Sequence, residues 1–308
     1  MTRSRRRMRR GAVWVAVTMA VGGWAAPAAA QTQSPKPVID SVPWKVGLKR
    51  DAVVHGRLKN GTPGDAVTLE RRQPGAAWRA LDTKAVGQEL KVRFKLHDLG
   101  SSARYRLVYE DEIAETREVS GVAEIRVQSK LSFRASPDDA YAGRTVHLRG
   151  TLYPKVPGRR VVVQQYDDGQ WKTIARPPVR KGRFSTAFRP QETDRKRPLR
   201  AWFKGDATSL GEKSADSLRI YRRDLATWYG PGFYGNRTAC GKTLGYSTLG
   251  VAHRTLPCGT KVAIMYRGRT VMVPVIDRGP YARSNWDLTR ETAERLRFSG
   301  TDSIGVAH

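Results

Sequence analysis

The chain runs Val-Ala-Ile-Met-Tyr over residues 262–266, Arg-Gly-Arg over 267–269 and Thr-Val-Met-Val-Pro-Val-Ile over 270–276. Two β-rich runs around a short turn that contains glycine are typical of a β-hairpin. The next residues after Asp277, Arg-Gly-Pro, cannot continue a strand. We therefore expect Asp277 at a strand end, where its carboxylate can face a groove.

A short helix is predicted after this hairpin. Asp287 and Thr289 both have side chains that can cap a helix N-terminus. The apolar face of the predicted helix consists of Leu288, Ala293, Leu296 and Phe298.

Four motifs occur in order in this part of the chain. They are Leu-Ala-Thr-Trp-Tyr-Gly-Pro-Gly-Phe-Tyr-Gly from residue 225, Val-Ala-His-Arg-Thr-Leu-Pro-Cys-Gly-Thr from 251, Ile-Asp-Arg-Gly-Pro-Tyr from 276 and Trp-Asp-Leu-Thr from 286. Together they resemble the rare lipoprotein A-like double-psi β-barrel of septal-ring lytic transglycosylases, a relative of expansins and barwins. The resemblance covers residues 224–308 and implies a six-stranded double-psi β-barrel that works on cell-wall glycan.

Cleavage of a β-1,4 glycan bond usually requires two carboxylates. In a lytic transglycosylase the 6-hydroxyl of the substrate attacks and forms an anhydro sugar, so one acid/base group can suffice. The acidic residues of the predicted barrel are Asp224, Asp277, Asp287, Glu291, Glu294 and Asp302. Only Asp277 and Asp287 stand in motif positions.

The resemblance assigns a role to three of these motif residues. Asp277 matches the aspartate of the Asp-Arg-Gly-Pro motif, and we expect it to be the acid/base group. His253 matches the family's histidine as an orienting or polarising group, and Asp287 matches the aspartate on which expansin activity depends, here as support. Two structural interpretations stay open: Asp287 as a helix cap only, and His253 as a residue that only holds a loop.

One position departs from the family pattern. The family commonly has an Asn-Gly-Glu turn whose glutamate is thought to be catalytic, whereas residues 240–242 here are Cys-Gly-Lys. A lysine cannot replace a carboxyl group in proton transfer at neutral pH, and near Asp277 its charge would favour the ionised carboxylate. We therefore place Lys242 among the candidates for substrate binding, with Tyr229, Arg278 and Tyr281.

The first thirty residues are predicted to be a secretory signal. A run of arginines precedes an apolar stretch from Gly11 to about Ala26, and small residues at 28–30 precede Gln31. A membrane span is the alternative, but Gly22, Gly23 and Pro27 interrupt a stretch shorter than the roughly 20 residues that a span needs. We expect a secreted protein of the extracellular space or cell wall, exported by the Sec or the twin-arginine route.

The chain has two cysteines, Cys240 and Cys258. In an exported chain, two cysteines within one small domain predict a disulfide, which would contribute about 3 kcal/mol on the chain-entropy model. A reactive thiol or a metal pair is the alternative, although a metal needs three or four ligands and only His253 is near in sequence. We expect no metal, no cofactor and no lipid anchor.

An internal repeat precedes the predicted barrel. At a spacing of 94 residues, Gly56 matches Gly150, Pro63-Gly64 matches Pro157-Gly158, and Phe94 matches Phe188. Short alternating runs between Pro-Gly, Asp-Gly and Lys-Gly turns predict antiparallel strands. We expect two immunoglobulin-like β-sandwich repeats, residues 36–128 and 129–222, as spacers.

Two expectations accompany this division. Trp78 and Trp171, which align with a one-residue gap, are predicted to be core residues. Arg222-Arg223 and residues 128–130 are predicted to be linkers that proteases can reach.

The chain is strongly basic. It has 56 basic and 28 acidic residues, a formal charge of +28. Subtracting the six arginines of residues 1–30 leaves +22. Nucleic-acid motifs are missing, and the charge is spread along the chain, so anionic wall polymers are the expected partners.

Three classes of function follow from the sequence. The first is a peptidoglycan lytic transglycosylase that cleaves the MurNAc-GlcNAc bond. The second is a non-catalytic expansin-like or barwin-like module that binds and loosens the wall. The third is a purely structural secreted protein.

Overall fold

The computed structural model describes residues 33–191 and 195–308, and most of their regular structure is β-strand. The predicted all-β class is therefore confirmed. The predicted signal, residues 1–30, lies outside the described residues. Within the described ranges no helix is long and apolar enough to cross a bilayer.

The first repeat consists of two sheets around one apolar core. Its strands are β1 (Lys36–Ser41), β2 (Lys45–Gly47), β3 (Arg50–Lys59), β4 (Ala66–Arg72), β5 (Arg79–Ala85), β6 (Lys91–Leu99), β7 (Ala103–Asp111), β8 (Thr116–Val119) and β9 (Ala123–Gln128). One sheet has the order β1-β3-β6 and the other β5-β4-β7-β9, with β8 beside β7 and β2 beside β9. Leu58 and Phe94 enter the core from the first sheet, and Leu69, Leu107 and Ile125 enter from the second.

The second repeat has the same strand order. Its strands are β10 (Lys130–Ser136), β11 (Asp139–Tyr141), β12 (Val146–Tyr153), β13 (Val162–Asp167), β14 (Gln170–Ala175), β15 (Arg183–Phe188), β16 (Arg195–Gly205) and β17 (Leu210–Tyr229). The sheets are β10-β12-β15 and β14-β13-β16-β17, with β11 beside β17. The long strand β17 thus takes the place of β9, while the immunoglobulin-like class of both repeats stays a prediction.

Close packing explains the matched glycines of the two repeats. Gly56 lies opposite Ile39, and a Cβ there would lie 2.8 Å from the Val38 carbonyl oxygen and would overlap Leu107. Gly150 lies opposite Phe133, and a Cβ there would overlap the Ser132 carbonyl oxygen and the Phe184 ring. Both positions therefore require the residue without a side chain.

The two repeat tryptophans are not core residues, so that prediction was wrong. Trp78 lies half-buried against Arg106, whose guanidinium carbon is 4.3 Å from the ring centroid. Trp171 lies in the same way against Arg200, at 4.0 Å. Cation-π contacts at the edge of the sheet, rather than burial between sheets, hold both rings.

The carboxy-terminal part contains β18 (Val251–His253), β19 (Lys261–Tyr266), β20 (Arg269–Asp277), β21 (Trp286–Thr289), α1 (Arg290–Leu296) and β22 (Asp302–Ala307). Six strands pair in the order β17-β22-β19-β20-β18-β21, and β21 pairs again with β17. Their core includes Val251, Ile264, Val273, Trp286 and Leu288.

Most local predictions for this part are confirmed, but Leu288 lies on β21 and Phe298 follows the end of α1, so the predicted apolar face of the helix was wrong at these two residues. β19 and β20 form the expected antiparallel hairpin, with Arg267 and Gly268 at positive φ in its turn. Asp277 ends β20. Thr289, and not Asp287, is the N-cap of α1, and its hydroxyl accepts the Thr292 N–H.

One strand crosses the predicted boundary between the second repeat and the barrel. The first half of β17 pairs with β16 through residues 210–220, and its second half pairs with β22 from Arg222 to Ala226. Arg222 and Arg223 therefore lie within a paired strand. The exposed linker expected at this point is absent from this part of the described chain.

A small apolar cluster adds to this connection. Tyr141 of the second repeat packs on Tyr221, Ala263, Met265 and Ala307. Arg223 covers the other side of the Tyr141 ring, with its guanidinium carbon 4.3 Å from the centroid. The second repeat and the barrel strands consequently share both a strand and a core.

We expect Tyr141→Ala to lower the free energy of unfolding of the full chain by about 2 kcal/mol, because it leaves a cavity against Met265 and Ala307. Urea unfolding followed by tryptophan fluorescence measures the change. Tyr153→Ala removes a partly buried ring at the end of β12, outside the cluster, and should cost less. Equal losses for the two variants would contradict a special role for the cluster.

Candidate active site

The candidate site is built around the short strand β18. Ala252 pairs with Asp277 of β20 on one side and with Asp287 of β21 on the other. The register with β20 shifts by one residue between Val251 and Ala252, and this shift places Asp277 instead of Ile276 beside Ala252. Two aspartates thus flank a methyl group on one face of the sheet, on strands separated by two spacings of about 4.8 Å.

The backbone fixes the position of Asp277. Its Oδ1 accepts the N–H of Ala239 at 2.9 Å and the N–H of Arg278 at 2.8 Å. Ala239 precedes Cys240, so the disulfide loop itself contacts the carboxylate. Asp277 is therefore held by two elements that are distant in sequence.

Asp287 has a different environment. Its Oδ1 accepts the Thr227 hydroxyl at 2.8 Å, across the pairing of β17 with β21. Burial raises the pKa of Asp287, and the charge of Asp277 raises it further, against the opposing effect of the Thr227 hydrogen bond. The surroundings of Asp287 therefore favour its protonated form.

Tyr229 lies next to both aspartates. Its hydroxyl oxygen is buried, and no hydrogen bond of ordinary geometry reaches it within the described ranges. Burial raises the pKa of Tyr229, and the charges of Asp277 and then Asp287 raise it further. The phenol is therefore a neutral group that can donate a hydrogen bond into the space between the carboxylates.

His253 lies on the other face of β18. It pairs with Trp286, and the two rings are 4.3 Å apart. Its Nδ1 accepts the N–H groups of Thr255 and Leu256 at 3.2 and 3.1 Å. Burial lowers the pKa of His253, as does the nearby His308, while Asp224 opposes them.

Two arginines hold the loops around the site. Arg278 donates to the carbonyl oxygen of Leu256 at 2.9 Å. Arg254 donates to those of Pro280 at 2.6 Å, Ala282 at 2.6 Å and Ser284 at 3.0 Å. The predicted substrate-binding residue Arg278 thus already bonds to the backbone of the neighbouring loop.

The predicted disulfide is present. Cys240 and Cys258 are joined, with Cα atoms 5.7 Å apart. Lys242 lies beside this bridge and lines a shallow cavity with Cys258 and Lys261. No ion pair joins Lys242 to Asp277 in the described chain, and Lys242 lies beside the disulfide.

Several aromatic side chains of the barrel are exposed on its surface. Tyr281, from the motif that starts at Ile276, is 82% exposed. Phe233 packs edge-on against Tyr229, and Tyr246 stacks on Tyr234 with centroids 4.0 Å apart, yet Phe233 and Tyr246 remain more than half exposed. Exposed rings of this kind provide flat apolar surfaces.

Sequence reasoning missed Thr227, Phe233 and Tyr246. Thr227 and Phe233 stand in the first quoted motif, at residues 225–235, so their position was a usable signal. Tyr246 lies outside every motif, and its stacking could not be predicted from the sequence. The pairing of Ala252 with both aspartates also depends on the register shift.

Comparison with known proteins shows which family the barrel residues resemble. Residues 223–308 match the family model described as "Lytic transglycolase". These residues are an RlpA-like double-psi β-barrel domain. The match begins inside β17, one residue after Arg222.

Curated relatives match the same part of the chain. A protein of Synechocystis named "Probable endolytic peptidoglycan transglycosylase RlpA" is 43% identical over 97 residues, 31% of this chain and 30% of the relative. A Campylobacter jejuni protein named "Endolytic peptidoglycan transglycosylase RlpA" is 41% identical over 85 residues, 26% of this chain and 31% of the relative. The chain spans about a third of the length of these relatives.

Among solved structures, the tetra-tandem repeat from the extending region of a large adhesion protein is similar at a TM-score of 0.40 and 14% identity. The alignment covers 89% of this chain and 74% of that chain. A TM-score this low assigns no fold to the two repeats of the present chain.

The lowered pKa of His253 predicts how the stability of the protein depends on pH. Because its pKa is lower in the folded than in the unfolded chain, the unfolded state binds more protons near pH 6, and stability should fall as pH decreases below about 6.5. His253→Asn retains an acceptor near the Nδ1 position but does not titrate, so its melting temperature should depend less on pH between about 7 and 5. The exposed His55→Asn is the control, and an unchanged slope for His253→Asn would contradict the assignment.

Proposed function

We propose that the RlpA-like barrel is a lytic transglycosylase that cleaves the MurNAc-GlcNAc bond of peptidoglycan glycan strands. The observation that supports this most directly is the pair of carboxyl groups that flank Ala252. One of them, Asp287, lies in an environment that favours its protonated form. A general acid near neutral pH needs a raised pKa of this kind.

Asp287 is the proposed acid/base group, whereas the sequence suggested Asp277. The protonated Asp287 gives its proton to the glycosidic oxygen as the bond from that oxygen to C1 of MurNAc breaks. Asp277, held by two backbone N–H groups, faces the positive charge that develops on the sugar ring.

The second step regenerates the acid. The 6-hydroxyl of the same MurNAc attacks C1 and forms the 1,6-anhydro ring, and its proton passes to the Asp287 carboxylate. No water is consumed, and the enzyme returns to its starting protonation state. A single carboxyl group thus serves as acid and then as base.

The other residues position the substrate or the site. The buried Tyr229 hydroxyl has no hydrogen-bond partner of ordinary geometry in the described chain, so it is available to donate to the substrate. The exposed rings of Phe233, Tyr246 and Tyr281 offer faces on which sugars stack. His253 is a positioning residue, because its Nδ1 holds the N–H groups of Thr255 and Leu256 and its ring touches neither aspartate.

A binding module without catalysis is the second candidate. Lys242 stands where the family commonly has a glutamate, and it lies beside the disulfide. An expansin-like or barwin-like module needs only the exposed rings and the groove. The two candidates differ in whether covalent bonds of the glycan are broken.

The proposed activity also implies a place of action. Peptidoglycan lies outside the cytoplasm, and residues 1–30 have the composition of a secretory signal. We therefore propose that the protein is exported and works at the cell wall.

Asp287→Asn should reduce the release of anhydro-muramic products from purified peptidoglycan by at least about 1000-fold, because it removes the proton that is transferred. Asp277→Asn should reduce release by about 100-fold or more through the lost charge. Glu291→Gln, which alters a surface pair on α1, is the matched control. Products are measured by liquid chromatography with mass spectrometry.

Binding to insoluble peptidoglycan should persist in both aspartate variants. If the wild type binds and weakens walls without releasing any anhydro product, the transglycosylase assignment fails and the binding module is supported. Full activity in Asp287→Asn would contradict the role given to that residue alone.

The raised pKa of Asp287 also predicts a stability effect. A carboxyl group whose pKa is higher in the folded state stabilises the protein fully below its unfolded pKa of about 4, and this contribution is lost as pH rises through the folded pKa. The melting temperature of Asp287→Asn, relative to that of the wild type, should therefore increase as pH rises from about 4 to about 7. Calorimetry at several pH values measures this gain, and a difference that does not vary with pH would refute the shift.

A further inference from the structure

The outer face of the β10-β12-β15 sheet carries an unusual set of charges. Arg134 of β10 lies directly opposite Arg149 of β12, and Arg183 of β15 lies opposite Thr151 of β12. The three arginines are exposed. We call Arg134, Arg149 and Arg183, with Ser132, Thr151 and Ser185 between them, the arginine face.

The arginine face has no compensating charge in the described chain. No ion pair involves Arg134, Arg149 or Arg183 there, and Arg149 donates only to the Ser136 hydroxyl, at 3.1 Å. The three strands contain no aspartate or glutamate. Like charges directly opposite each other destabilise a sheet, so this arrangement costs stability unless an anion binds.

The first repeat provides an internal comparison. In its equivalent sheet, β1-β3-β6, Arg57 pairs with Asp40 at 3.0 Å, and Lys91 pairs with Glu89 at 2.6 Å. Arg134 follows Asp40 by the repeat spacing of 94 residues. The aspartate that neutralises Arg57 in the first repeat is thus replaced by an arginine in the second repeat.

The arginine face also has the shape of a site. Its side chains line an open cleft together with Arg180 and Pro178. Guanidinium groups and hydroxyl donors therefore lie together.

We propose that the arginine face binds a phosphodiester polymer of the poly(glycerol phosphate) type. Arginine forks and Ser or Thr hydroxyls are the side chains that commonly donate to phosphodiester oxygens. Arg134 and Arg149 lie about one strand spacing, roughly 5 Å, apart, and Arg183 is a diagonal neighbour of Arg149 at about 7–8 Å, so several charges of one chain can be bound at once.

This inference does not depend on the proposed catalysis. The arginine face belongs to a sheet that shares no strand pairing with the barrel. It would hold for an enzyme and for a binding module.

The test measures binding of the full chain to poly(glycerol phosphate) by calorimetry at several salt concentrations. The variant Arg134→Gln/Arg149→Gln/Arg183→Gln should raise Kd by at least about tenfold and should reduce the slope of log K against log salt by about 2. The matched control Lys59→Gln/Arg93→Gln/Lys95→Gln removes the same charge from the equivalent sheet of the first repeat, and it should change Kd by less than about threefold.

Two further ligands distinguish the source of the anion. Polygalacturonate carries carboxylates, and phosphatidylglycerol vesicles carry phosphates on a surface. Weaker binding of both at equal charge supports the proposal. Equal losses in the variant and its control, or equal or tighter binding of either ligand, would overturn it.

Folding of the triple variant is checked by its melting temperature, which should not decrease, because repulsion is relieved. If that variant does not fold, Arg149→Gln in the middle of the arginine face replaces it. At least a threefold increase in Kd is then expected, and no increase would overturn the proposal.

Discussion

The pairing of β17 with strands on both sides of the predicted boundary is the constraint on which the rest of the structure depends. Its first half completes a sheet of the second repeat, and its second half pairs with β22 and β21. The register with β21 places Thr227 beside Asp287, and Tyr229 follows two residues later on the same strand. A shift of one residue would turn both side chains to the other face, so the strand that joins the domains also aligns the site.

The difference between the two aspartates follows from the backbone around them. Asp277 ends its strand, where free N–H groups of two loops reach its carboxylate. Asp287 lies inside a short paired strand, where only the Thr227 hydroxyl reaches its Oδ1. Because the side chain of Ala252 is small, the charge of Asp277 acts on Asp287. Burial and this charge together raise the pKa of Asp287.

Sequence reasoning predicted those features that depend on local chemistry. The Arg-Gly turn, the strand end at Asp277, a helix cap at Asp287 or Thr289 and the Cys240 to Cys258 bridge all follow from residues close in sequence or from a single pairing. The register shift beside Ala252, the face of His253 and the continuity of β17 depend on which strands become neighbours. Arg222-Arg223 resembled a linker because both residues are charged, yet their side chains are exposed while their backbone pairs with β22. The tryptophans were misassigned because aromatic residues in strands are usually buried, whereas here an arginine covers each ring.

The continuity of β17 has a mechanical consequence. Twenty residues at about 3.3 Å each give a contour of roughly 65 Å, along which backbone hydrogen bonds tie one end to the sandwich sheet and the other to the barrel. Tension applied between the two ends would load those bonds in shear, many at a time, instead of stretching a flexible tether. The candidate site therefore keeps a fixed orientation relative to the second repeat when the protein is pulled between two attachment points.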